Sequence, residues 1–109
     1  FNRKLGRKED MASDYSNLGI VYETKGDLDK AIEYYQKALG IYQAQSSKAG
    51  LAIQYGNLGM VYKTQGDLDK AAEFWQKSLA LFTEVGAKLQ IVQVQALLDS
   101  ISSKEPNNQ

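Results

Sequence analysis

Residues 15–40 read YSNLGIVYETKGDLDKAIEYYQKALG, and residues 55–80 read YGNLGMVYKTQGDLDKAAEFWQKSLA. At an offset of 40, 17 of these 26 positions are identical, so the chain is built from an internal repeat. Within each copy the apolar spacing is helical. Tyr15, Leu18, Gly19 and Tyr22 fall at i, i+3, i+4 and i+7, as do Tyr55, Leu58, Gly59 and Tyr62. Gly26-Asp27 and Gly66-Asp67 then punctuate the chain. The glycine suits the left-handed position that ends a helix, and the aspartate suits the cap of the next. A second helix follows, with Leu28, Ala31, Tyr35, Ala38, Leu39 and Tyr42 matched by Leu68, Ala71, Trp75, Ser78, Leu79 and Phe82. Glu33 with Lys37, and Glu73 with Lys77, stand at i,i+4 in the favoured order for ion pairs on the outer face. Gly19 and Gly59 sit mid-helix, where glycine costs about 0.8–1 kcal/mol relative to alanine. Close packing against Tyr35 and Trp75 of the next helix is the expected reason.

Outward from these two copies the pattern thins. A weak echo runs through residues 5–8, 45–48 and 85–88, and Ser46 stands where Gly6 and Gly86 are expected to make turns. Loss of that glycine is expected to let the middle connection straighten. Residues 88–102 form a last first-type helix with Ile91, Val94, Leu98 and Ile101 as its stripe. Gln95, Asp99 and Ser102 replace the tyrosines and glycine of the earlier copies, which marks a degenerate capping helix. The expected helices are 8–25, 28–45, 48–65, 68–85 and 88–102. By units, 1–14 hold the end of a preceding unit and the start of the first helix. Repeats occupy 15–54 and 55–94, and 103–109 form a disordered tail. The start at Phe1 rather than Met suggests a fragment of a longer chain.

Composition narrows the functions. The 109 residues contain no Cys and no His, so thiolate chemistry, disulfides and imidazole ligands or bases are unavailable. No cofactor and no metal are expected, and no catalytic residue is found. Thirteen basic and thirteen acidic residues give zero net charge, against nucleic-acid binding. No stretch reaches the roughly 20 apolar residues of a membrane span. The basic cluster Arg3, Lys4, Arg7 and Lys8 is followed at once by Glu9 and Asp10 and reads as a solvated helix face.

The pattern Tyr-x-x-Leu-Gly-x-x-Tyr, Gly-Asp-Leu, then Ala-x-x-x-Tyr or Trp resembles the tetratricopeptide repeat over residues 15–42 and 55–82. Two features depart from it: the period is 40 rather than about 34, and the proline that often ends the second helix is absent. Units of this length are similar to those of kinesin light chains and of cell-polarity scaffolds. The resemblance implies an all-α, right-handed solenoid of antiparallel helix hairpins with a concave groove lined by the first helix of each unit.

The groove face so implied carries Ser13, Asn17, Ile20 and Thr24, then Ile53, Asn57, Met60 and Thr64, each set at i, i+4, i+7 and i+11. Family members use the asparagine before Leu-Gly to hydrogen-bond an extended peptide, a role that falls here on Asn17 and Asn57. A carboxamide offers both donor and acceptor to a peptide group. The residues alone also allow an asparagine that braces a neighbouring helix. Ile20 and Met60 read as apolar floor or as packing onto the next helix. A subclass of these repeats grips a C-terminal carboxylate with groove lysines and arginines. Ser13, Asn17, Ile53, Asn57, Gln93 and Leu97 stand at those places, so a carboxylate clamp is not expected. Asp27/Asp29 and Asp67/Asp69 read as helix caps and first-turn charges rather than a Ca²⁺ or acid–base pair. Tyr34, Tyr35, Phe74 and Trp75 read as core rather than base-stacking residues.

The expected function is a cytoplasmic, non-enzymatic interaction module or scaffold that binds a peptide segment of a partner protein. The alternative is a structural or self-associating segment, domain-swapped or joined through the last helix, that regulates an attached effector domain. The last helix supports it with Leu89, Ile91, Val92, Val94, Leu97, Leu98 and Ile101, a stripe too broad for one packed face.

Overall fold

The computed structural model describes residues 3–102, with side-chain surroundings for residues 11–101. The side chains of Arg3, Lys4, Arg7 and Lys8 and the tail 103–109 lie outside the described residues. The five helices are α1 (Arg3–Lys25), α2 (Leu28–Ala44), α3 (Lys48–Gln65), α4 (Leu68–Val85) and α5 (Lys88–Ser102). α1 packs on α2, α3 on α4, α2 on α3 and α4 on α5, so contact runs between neighbours in sequence. The body measures 60 × 32 × 18 Å. This is an all-α solenoid of helix hairpins.

The repeat's chemistry explains the helix ends. Gly26 and Gly66 take φ of +90° and +91°, and Asp27 and Asp67 cap α2 and α4 by accepting from the N–H of Lys30 and Lys70 at 3.3 and 3.1 Å. Two expectations fail. Helix α1 begins at Arg3 rather than 8, because Gly6 lies inside it. Glycine permits the left-handed turn that Gly86 makes at φ +74°, but does not impose it. The middle connection also does not straighten. Ser46 itself adopts φ +56°, and the Ser47 N–H donates to the Tyr42 carbonyl at 2.9 Å. The Ser47 hydroxyl then caps α3, accepting from the Gly50 N–H at 3.2 Å.

Two apolar clusters tie the stack together. Ala31 and Tyr35 of α2 meet Leu58 and Val61 of α3, all fully buried. Ala52 of α3 joins Ala71, Trp75 and Phe82 of α4 and Val94 and Ile101 of α5. Full burial of a Leu or Val side chain contributes about 1.5–3 kcal/mol each. Leu18 and Val21, the α1 counterparts of Leu58 and Val61, remain 38% and 45% exposed because no described helix covers that face. The expected glycine–aromatic contacts are present. A Cβ on Gly19 would stand 2.7 Å from the Tyr35 ring, and one on Gly59 would run into the Trp75 indole. Both rings are anchored: Tyr35 donates its hydroxyl to Glu23 at 2.7 Å, and Trp75 Nε1 donates to the Gly56 carbonyl at 3.1 Å. Burial and the adjacent Glu23 carboxylate push the Tyr35 hydroxyl well above the ordinary tyrosine range.

Candidate functional site

The side chains of α1 and α3 that are not consumed by packing form the candidate site. Ser13, Asn17 and Ile20 are exposed on α1, with Ile20 at 48%. Ile53 is exposed to the same degree on α3, and Asn57 and Met60 are half-buried beside it. Among the described residues the carboxamides of Asn17 and Asn57 make no hydrogen bond. Neither braces a neighbouring helix, so donors and acceptors stay available. Thr24 and Thr64 are different. Their hydroxyls donate back to the carbonyls of Ile20 and Met60 at 2.9 and 3.0 Å, which spends the hydroxyl proton within the helix.

Ile53, Asn57 and Met60 converge on a solvent-open cavity of about 240 Å³ between α3, α4 and α5. Val94 and Leu97 of α5 and Phe82 of α4 also line it, with Gln90 and Gln93 joining Asn57. Ser13, Asn17, Ile20, Thr24 and Thr64 do not line it. A larger depression of about 340 Å³ is lined by Met11, Gln36, Lys37, Gly40, Ile41 and Ala44 of α1 and α2 and holds none of the eight strip residues.

The cavity was not legible as such in the repeat, although a signal for it exists. At the junction before it, Gly50 lies so close to the ring of Tyr42 that a Cβ would collide. One period later the corresponding pair is Gln90 and Phe82, and a glutamine side chain rules out that ring-on-backbone contact. The chain opens there instead.

Other chemistry-bearing groups have structural partners. Asp27 and Asp67 are caps, and among the described residues no group of three or more acidic side chains is placed to hold a metal ion. Tyr34 is stacked between Tyr15 and Tyr22 at centroid distances of 5.9 and 5.5 Å, and Phe74 between Tyr55 and Tyr62 at 5.8 and 5.4 Å. Tyr35 and Trp75 are fully buried core, whereas Tyr34 and Phe74 are half-buried within these stacks rather than core. Lys37 sits over the rings of Tyr15 and Tyr34 at 5.6 and 5.5 Å and also reaches Glu33 at 3.7 Å; Lys77 sits likewise over Tyr55 and Phe74 at 5.5 and 5.4 Å, but the expected pair with Glu73 is not formed. No described helix is long and apolar enough to cross a membrane.

Family models described as tetratricopeptide repeat match residues 12–43 and residues 52–84. No curated protein matches the chain significantly.

Proposed function

The chain belongs to the tetratricopeptide-repeat family, and from that premise we propose that it binds an extended, uncharged peptide segment of a partner protein along the strip from Ser13 to Met60. Repeats of this family are in general protein–protein interaction modules and typically non-catalytic. The finer reading is carried by one observation: Asn17, exposed, and Asn57, half-buried, stand one period apart on successive first helices and carry carboxamides with no hydrogen-bond partner among the described residues. A peptide group that leaves water needs both an acceptor and a donor, and each amide supplies both. Ile20, Ile53 and Met60 add apolar contact between them, as expected for a preformed peptide groove. Units 15–54 and 55–94 are the two repeats in this reading, the setting is cytoplasmic, and the role is that of a scaffold.

The test is Asn57→Ala, measured by calorimetry against capped, uncharged peptides selected on the wild-type protein. Loss of one or two hydrogen bonds worth about 0.5–1.5 kcal/mol each weakens binding by about 2-fold to about 150-fold. Unchanged affinity with an unchanged helical circular-dichroism signal sinks the amide reading.

A second reading has its own observation. On α5, Leu89 and Val92 are 65% and 66% exposed, so its apolar stripe is indeed wider than its packed face. Self-association through that face follows as a proposal. Light scattering that finds a strict monomer at millimolar concentration refutes it.

A further inference from the structure

We infer that the cavity between α3, α4 and α5 is a side-chain subsite that takes one uncharged, apolar residue of the bound segment, of leucine, methionine or phenylalanine size. The inference rests on the peptide-groove reading above and adds what it lacks, a determinant of which peptide binds.

Three features fix the chemistry of the occupant. The first is size. The cavity holds about 240 Å³, and an apolar protein cavity of about 150 Å³ already admits benzene. A large side chain fits, and an alanine leaves most of the space empty. The second is charge. None of the lining residues is ionisable, and the walls are Ile53, Met60, Phe82, Val94 and Leu97. A lysine or aspartate placed there would lose part of its hydration against these walls with no counter-charge among the lining residues. Methionine and leucine walls also adjust to the shape of an apolar guest.

The third feature separates a peptide from a free hydrocarbon. The carboxamides of Asn57, Gln90 and Gln93 stand around the apolar walls. Among the described residues none of the three makes a hydrogen bond. An apolar side chain carried on a main chain brings N–H and C=O groups with it, and these amides can satisfy them. The placement also sets a register. Position 57 is asparagine, and its counterpart one period on is Leu97, so the amide series of Asn17 and Asn57 gives way to an apolar wall. A segment held through its backbone at Asn17 and Asn57 reaches the subsite with a side chain.

The probe is a positional library of N-acetylated, C-amidated octapeptides. Each position in turn is fixed as Ala, Leu, Met, Phe, Asp or Lys within a mixture of uncharged residues. Retention on the immobilised full chain is read by mass spectrometry. The expected result is one position at which Leu, Met or Phe exceeds Asp and Lys by about tenfold or more. Leu97→Lys should abolish that preference or turn it toward Asp. Asn17→Ala should weaken all retained peptides by a similar factor and leave the preference in place. Gly56→Ala serves as a second variant should Leu97→Lys fail to fold. Its Cβ meets only the Ser78 hydroxyl, at 3.5 Å, and the same place in the first unit already carries Ser16. It narrows the subsite and should lower retention of Phe relative to Ala.

Retention with no preference at any position overturns the subsite and leaves the groove reading intact. So does an apolar preference that survives both Leu97→Lys and Gly56→Ala. Retention of no pool at all fails the groove reading, and the subsite with it. A dimer in solution that Leu97→Lys dissociates makes a second copy the occupant and overturns the peptide assignment.

Discussion

Replacing a mid-helix glycine by alanine ordinarily stabilises a helix, and this chain turns that rule into a two-sided test. Gly59 lies in α3 against the face of Trp75, and a Cβ there would run into the indole. The indole cannot retreat without cost. It is fully buried, and its Nε1–H donates to the Gly56 carbonyl at 3.1 Å. Overpacking a filled core costs about 1–3 kcal/mol. Displacing the ring strands a buried N–H, which adds about 1–3 kcal/mol. Alanine returns about 0.8–1 kcal/mol through helix propensity. The net for Gly59→Ala is a destabilisation of about 2–3 kcal/mol, since the two penalties relieve each other in part. At about 4–8 °C per kcal/mol for a chain of this size, Tm falls by roughly 10–20 °C. Gly40 supplies the control. It lies in α2, and a Cβ there meets nothing within 4 Å. Gly40→Ala should therefore raise stability by about 0.5–1 kcal/mol. Thermal melts followed by circular dichroism, with urea titrations for the free energies, measure both. If Gly59→Ala stabilises the chain as Gly40→Ala does, the glycine–aromatic contact is not what selects glycine at that position, and the packing argument fails.

Further outcomes follow from single residues. Ser46→Gly should stabilise by about 1 kcal/mol, read from the urea midpoint, because a left-handed backbone costs a non-glycine residue about 1–2 kcal/mol and Ser46 stands at φ +56°. Asp67→Ala should cost about 1 kcal/mol, since it removes the acceptor for the Lys70 N–H at the start of α4. Tyr35 predicts a pH dependence with a definite sign. Its hydroxyl is held protonated in the folded state by burial and by Glu23, so the stability it contributes is complete below the ordinary tyrosine range near pH 10 and falls as pH rises through it. Tyr35→Phe should flatten the alkaline limb of a stability-against-pH curve and cost about 1.5–3 kcal/mol at neutral pH for the lost bond to a carboxylate.

The repeat made most of the fold legible because its identities are packing identities. Leu58, Ala71 and the Gly59–Trp75 pair recur in register with Leu18, Ala31 and Gly19–Tyr35, and the structure uses each for the contact its spacing implies except Leu18, which no described helix covers. The failures occur where a copy lacks a neighbour or departs from the pattern. Gly6 stands in register with the turn glycine Gly86, yet α1 runs through it. A glycine's conformation is set by what the chain does on either side, which the residue itself does not encode. Ser46, in a glycine's place, predicts a straightened connection. Packing of α2 on α3, with Gly50 seated against the Tyr42 ring, instead holds a serine in a glycine's conformation.

The candidate site follows the same logic from the other direction. The strip positions were legible from helical spacing, because any first helix sandwiched between two neighbours leaves one face free. The cavity was not, because it comes from a difference between copies rather than from the repeat. Where Gly50 and Tyr42 close one junction, Gln90 and Phe82 leave the next open, and where Asn57 presents an amide, Leu97 presents an apolar wall. Shared residues build the stack, and residues that differ between its units give it a place that can tell one peptide from another. Restoring the repeat with Gln90→Gly and Phe82→Tyr together should then close the cavity, with no loss of helical signal, and abolish the apolar preference while the Asn57 contribution to peptide binding persists.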